Sequence, residues 1–169
     1  MSKLSNLSIV IVTFLTDKKT LINCLNSIDK KVQIIIVENS SKFKNKDFFL
    51  SKFSNLKIYC SGKNLGYGGG NNFGLKKVKT QFALILNPDT VLDKYFFLNI
   101  KLILKNRSFS LIGCELIKNK GFATGGFFNS KKNDEFKKNF SLIPRDNLTK
   151  VDWITGSSML LNFKNLKDK

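Results

Sequence analysis

The sequence predicts an α/β fold: a mostly parallel sheet flanked by helices, built as one domain. Apolar runs of strand length alternate with helix-spaced runs through the first half of the chain. The first two of those runs are apolar without alternation, the pattern of strands covered on both faces. A chain of 169 residues, 42% of them hydrophobic and 16 of them Phe, is enough for one domain with a real core and too short for two.

LSIVIVTF (7–14) is the first strand. Although Lys3 precedes it, the run to Leu15 is short and lacks a small-residue cleavage site, so it does not read as a signal peptide. Residues 17–29 carry Leu21, Ile22, Leu25 and Ile28 at helical spacing, with Thr16 or Asp17 as the cap. VQIIIVEN (32–39) is the second strand, a helix near 45–53 follows, and LKIYC (56–60) is the third strand. A glycine-rich loop from Gly62 to Asn72 then leads into a helix over about 71–79 and the strand 81–86. This β-α-β order implies right-handed crossovers and parallel pairing. Beyond it the pattern predicts a helix at about 94–105, strands in SLIGCELI (110–117) and GFATGGFF (121–128), a polar loop over 129–150, and VDWITGSSMLLNF (151–163).

The net charge of +17 comes almost wholly from lysine; Arg107 and Arg145 are the only arginines. The lysines are scattered, apart from pairs such as Lys76-Lys77 and Lys131-Lys132. A dedicated nucleic-acid binder adds arginine forks and an organised basic stripe. A basic face that rests on an anionic membrane or meets a diphosphate substrate fits this pattern better. Cys24, Cys60 and Cys114 are odd in number and far apart, which implies neither a disulfide framework nor a zinc site but a reducing compartment. With no histidine, every mechanism that needs an imidazole is excluded. No run reaches the roughly 20 apolar residues of a membrane helix. Sequons at Asn39 and Asn147 are expected by chance in so Asn-rich a chain. These features place the protein in the cytoplasm, with peripheral contact at the inner face of the membrane.

In an open α/β sheet, ligands bind beyond the carboxyl ends of the strands. Four candidates lie there: Thr13-Phe14, Glu38-Asn39, the glycine loop, and Asn87-Pro88-Asp89. Pro88 cannot continue a ladder and pushes Asn87 to an extended conformation, so Asp89 projects from the sheet edge. A hard carboxylate there suits Mg2+ or Mn2+, which suit phosphate-bearing substrates. The glycines lack dinucleotide or Walker spacing. They admit positive φ and close backbone approach, and the helix expected to start at Asn71-Asn72 favours an anion such as a diphosphate at its N-terminus.

Together SIVIVTF, IIIVENSS, KNLGYGGGNNFGL, ALILNPDTVL and VDWITGSSMLL resemble the N-terminal part of family-2 glycosyltransferases of the GT-A fold, close to the rhamnosyltransferase-like members. The resemblance covers most of the chain. It implies a GT-A-like, C-terminally truncated sheet in a single domain (1–169), with the nucleotide-sugar part at about 1–92 and an incomplete acceptor part at about 93–169. It further implies that Thr13 and Phe14 line the base site and that Glu38, where the family has Asp, accepts a hydrogen bond from a pyrimidine. Asn64 and Gly66 would border the nucleotide sugar. Asp89 would bind the cation, with Asn87 replacing the motif's first Asp. Trp153 and Gly156 would form the acceptor side. The implied reaction is inverting transfer of a sugar, rhamnose for instance, from a UDP- or dTDP-sugar to a saccharide or lipid-linked acceptor in cell-surface polysaccharide synthesis. The family's catalytic base is a carboxylate downstream of the VDWxxG segment and is expected beyond Lys169; Asp152 and Asp168 are the nearest carboxylates here. Two other readings stand beside this one: an inert donor-binding fragment or half of a split enzyme, and a basic nucleic-acid-binding protein.

Overall fold

The computed structural model describes residues 3–105, 109–114, 117–118, 121–122, 125–126, 128, 130–139 and 149–166. A 3-10 turn (Lys3–Asn6) opens the chain. It is followed by β1 (Leu7–Thr13), α1 (Lys18–Asn26), β2 (Gln33–Glu38), α2 (Lys46–Lys52), β3 (Leu56–Cys60), α3 (Gly66–Leu75), β4 (Phe82–Leu86) and α4 (Phe96–Ile103). The remaining elements are β5 (Leu111–Gly113), β6 (Ile117–Lys118), β7 (Gly121–Phe122), β8 (Gly125–Gly126), α5 (Ser130–Asn139), β9 (Trp153–Ile154), β10 (Ser158–Asn162) and α6 (Phe163–Leu166). Among the described residues no helix is long and apolar enough to cross a membrane.

Among the described residues the main sheet has six strands in the order β3-β2-β1-β4-β10-β5. The first four are parallel, and β10 runs antiparallel between β4 and β5. Alternation along the strands splits the core into two layers. Ile9, Ile11, Ile34, Ile36, Leu84 and Leu86 face α1, α2 and α4, meeting Leu21, Leu25, Phe49 and Ile100. Val10, Ile35 and Val37 face the other way, onto Phe73, Leu75 and Val78 around α3. Burial on both faces is why β1, β2 and β4 read as unbroken apolar runs. At the head of α1, Asp17 rather than Thr16 is the cap. Its carboxylate accepts from the Thr20 N–H at 2.9 Å, a bond that holds its pKa below the usual value.

The structure corrects four expectations. α3 begins at Gly66, not Asn71, so Gly66, Gly68, Gly69 and Gly70 are helical. Glycine disfavours helix by about 1 kcal/mol relative to Ala, and here tertiary packing overrides that cost. A Cβ on Gly70 would lie 2.7 Å from Val12 Cγ1, and one on Gly74 2.5 Å from Val10 Cγ1, so the bare backbone is what lets α3 settle on β1 and β2. Residues 130–139, expected as loop, form α5, whose lysine-rich sequence offers no apolar stripe to announce it. SLIGCELI divides into β5 and the start of a separate small ladder, β6 with β7. GFATGGFF likewise divides into β7 and β8, with the residues between outside the described set.

Candidate functional site

The carboxyl edge of the parallel strands gathers most of the predicted residues. Thr13 and Glu38 are register partners at the ends of β1 and β2. The Thr13 hydroxyl donates to Glu38 Oε2 at 2.7 Å, and the Ser40 hydroxyl donates to Oε1 at 2.7 Å. Glu38 is only 6% exposed. A carboxylate this buried needs partners for both oxygens, and the two hydroxyls supply them while fixing its orientation. Glu38 is therefore a held group, not a solvated strand end. Beside it Phe14 is 48% exposed, and Leu15 adopts a positive φ of 53° as the chain leaves the sheet. The Phe14 side chain is thus open to solvent one residue beyond Thr13.

Residues 61–65 form the loop proper, and they wrap around Asn39. The Asn39 Nδ2 donates to Asn64 Oδ1 and to the Gly66 carbonyl, at 3.0 and 3.1 Å. Its Oδ1 accepts from the Leu65 N–H at 2.9 Å and the Ser61 hydroxyl at 3.3 Å. Asn64 Oδ1 also accepts from the Gly66 N–H at 2.9 Å, and Gly66 takes a φ of 71° that an L side chain rarely adopts. Asn64 and Gly66 are both exposed at the start of α3. Leu65 offers no side-chain cap and Asn64 takes only the Gly66 N–H, while the space a Gly68 Cβ would fill is empty, so the rest of the first turn has an open approach there. The anion-favouring helix start therefore lies several residues earlier than Asn71. The sequence singles out Asn39 with Glu38 at this edge but gives it no role of its own, because the strand-end carboxylate beside it draws the chemistry.

β4 ends at Leu86, and Pro88-Asp89 occupy the centre of a turn closed by the Thr90 N–H on the Asn87 carbonyl at 3.1 Å. The Asn87 N–H donates to the Ser157 carbonyl at 3.0 Å. From below, the Cys24 thiol donates to the Asn87 carbonyl at 3.7 Å, and the Ser27 hydroxyl accepts from the Leu92 N–H at 3.0 Å. Helix α1 thus underpins the turn, while Asp89 itself is exposed. Burial, with the Asp89 charge adding to it, pushes the Cys24 thiol up to about 12. Cys24 stays a neutral thiol while its unfolded counterpart ionises near 9.0, so its contribution to stability is full below pH 9 and lost as pH rises towards 12. A thiol reagent at pH 8 should label exposed Cys60 in the native protein and Cys24 only after denaturation, read by mass spectrometry.

Asp89 fits a divalent cation. Among the described residues no three His, Cys, Asp or Glu side chains form a ready-made cage. One exposed carboxylate on a firm turn suits an ion that takes its other ligands from phosphate oxygens and water, as Mg2+ commonly does.

Of the residues expected on an acceptor side, Trp153 lies in β9, paired with β8, and is 39% exposed. The Tyr67 hydroxyl donates to the Gly156 carbonyl, tying the turn before β10 to α3; burial pushes the Tyr67 phenol up, with a hydrogen bond from Asn71 opposing. The Asp152 carboxylate is exposed and accepts from the Phe128 N–H at 3.0 Å. Asp168 lies outside the described residues. The structure brings Thr13, Phe14, Glu38, Asn64, Gly66, Asn87 and Asp89 to one edge, and Gly156 to its border.

Over residues 8–167 the sequence matches the model of a family described as glycosyl transferase family 2. The chain is 25% identical over 170 residues to the low-salt glycan biosynthesis hexosyltransferase Agl10 of Haloferax volcanii, covering 94% of itself and 53% of that protein. Its fold resembles that of S. aureus TarS 1-349 in complex with UDP-GlcNAc (TM-score 0.63, 16% identity), over 96% of this chain and 46% of that one. It also resembles the mannosyltransferase PcManGT of Pyrobaculum calidifontis in complex with GDP-Man and Mn2+ (TM-score 0.61, 11% identity), with the same coverage. The chain spans about half the length of these proteins. With a GT-A-like sheet, a strand-end site and a family match over nearly its whole length, the chain belongs to glycosyl transferase family 2.

Proposed function

We propose that the chain forms the donor site of an inverting glycosyltransferase that takes a UDP- or dTDP-linked sugar, with rhamnose a candidate among hexose-type donors. The acceptor is a saccharide or lipid-linked saccharide in cell-surface polysaccharide synthesis, met at the inner face of an anionic membrane. One observation carries the reading: a held carboxylate (Glu38), an open helix start (α3) and an exposed carboxylate on a turn (Asp89) share one sheet edge. The names of the similar proteins, a hexosyltransferase and two structures with nucleotide sugars bound, agree with it.

In this reading Glu38 accepts from the pyrimidine N–H, and Phe14 flanks the ring. The α3 start and Asn64 meet the diphosphate and sugar. Mg2+ or Mn2+ at Asp89 would neutralise charge on the leaving diphosphate. A base deprotonates the acceptor hydroxyl, whose oxygen attacks the anomeric carbon in line as the bond to diphosphate breaks. Calorimetric titration of the chain with UDP, dTDP and GDP should show saturable pyrimidine-nucleotide binding with Mn2+ and its loss in EDTA. Binding indifferent to metal, or absent, overturns the proposal.

Glu38→Gln keeps shape and removes the charge that favours a base N–H donor. It should weaken UDP severalfold in the same titration, about 1 kcal/mol, while GDP is unaffected. An unchanged UDP affinity would assign Glu38 to holding strand ends together.

A second reading, donor binding without transfer, is favoured by one contact: the Asp152 carboxylate is engaged by the Phe128 N–H. A transfer assay decides between them. Robust transfer by the chain, abolished in Asp152→Asn, would make Asp152 the base.

A further inference from the structure

We infer that Asn39 is a positioning residue that fixes the diphosphate end of the donor site relative to its base end. This rests on the donor-site reading above and adds to it a residue to which that reading gave no role. Asn39 is 2% exposed, so it acts through what it holds. All four of its side-chain hydrogen bonds go to residues 61–66, the loop that delivers the chain into α3. Its own N–H donates to the Thr13 carbonyl at 2.7 Å, so its backbone is fastened to the end of β1. It directly follows Glu38, whose carboxylate Thr13 and Ser40 hold. One residue therefore joins the held carboxylate to the helix start. Its amide also sits against α3, where a Cβ on Gly70 would come 3.5 Å from Nδ2.

The amide, rather than a carboxylate, is required by the wiring. Nδ2 faces two acceptors, Asn64 Oδ1 and the Gly66 carbonyl, while Oδ1 faces two donors. Asn39→Asp keeps size and both bonds to Oδ1, but sets a charged oxygen against two acceptors. Asn64 could turn its amide to donate, but Gly66 N–H would then lose its acceptor. Either way the α3 start shifts, while the loop as a whole stays attached through Leu65.

A merely structural residue would weaken every ligand together; a positioning residue divides them by which end of the site they use. Saturation-transfer NMR competition with uridine, and calorimetry with UDP and Mn2+, should be run on wild type and Asn39→Asp. Expected are a UDP affinity at least tenfold lower and a uridine affinity within about twofold of wild type. Equal weakening of both, or unchanged UDP, overturns the assignment. If Asn39→Asp does not fold, Asn39→Ala removes the same four side-chain bonds without introducing a charge, and leaves the proposed donor contact Asn64 in place. It should then show the same split; no split there also overturns the assignment. A wild type that binds no UDP overturns the donor-site reading itself and this inference with it, a result distinct from the others.

Discussion

Gly74→Val is expected to destabilise the fold by about 3 kcal/mol, the upper part of the usual cost of overpacking. The β-carbon would lie 2.5 Å from Val10 Cγ1 and 2.9 Å from Val37 Cγ2. Both valines are fully buried in central strands, and β-branched side chains have little rotamer freedom with which to retreat. Helix α3 must lift off the sheet instead, uncovering Phe73, Leu75 and Val78. The better helix propensity of a non-glycine residue returns only a few tenths of a kcal/mol. Gly68→Ala is the control: nothing lies within 4 Å of its added carbon. That change should leave stability unchanged or raise it by up to about 1 kcal/mol. Urea denaturation should lower the midpoint for Gly74→Val and leave it level or raise it for Gly68→Ala. A Gly74→Val protein as stable as wild type would show that α3 does not depend on this close approach.

Asp89→Ala is expected to weaken UDP binding in the presence of Mn2+ at least tenfold, about 1.4 kcal/mol, and to erase the difference between Mn2+ and EDTA. The residue is exposed and its turn is held by backbone and by Cys24 and Ser27, so stability should change little. A second readout does not involve nucleotide. The Asp89 charge helps to raise the Cys24 thiol, so its removal should lower the pH at which that thiol becomes reactive, though burial, the larger cause, will keep it well above 9. Unchanged nucleotide affinity together with a shifted thiol would place the carboxylate correctly but deny it the cation.

The parts of the fold legible in the sequence are those specified by short-range pattern. The unbroken apolar runs of β1, β2 and β4 and the Leu21/Leu25 spacing of α1 name their own structure, and Pro88 marks where β4 stops. What stayed hidden depends on distant partners. Gly66 to Gly70 look like loop because helix propensity is local, whereas the force that makes them helical is the fit of Gly70 and Gly74 onto valines of β1 and β2. The insertion of β10 between β4 and β5 is a long-range pairing that no periodicity records. In the site, Glu38 and Asp89 were readable because carboxylates at strand ends are chemically conspicuous. Asn39 was readable as a member of the same edge but not as the group that holds it, since its four hydrogen bonds exist only once the 61–66 loop folds over it.

The place of β10 also sets the order in which the molecule can be finished during synthesis. The four parallel strands are complete once Leu86 has left the ribosome, but the free edge of β4 waits for Ser158–Asn162, about 70 residues later. At about 5–20 residues per second that wait lasts roughly 4–14 s. Meanwhile Phe82–Leu86 presents unpaired amides and carbonyls on an apolar strand, the kind of edge on which a second nascent chain can add. β5 arrives sooner but gives no cover, because its ladder is to β10 as well. The nascent chain thus carries an unpaired apolar edge at the middle of its future sheet, and slowing translation between residues 87 and 157 should raise the fraction lost to aggregation.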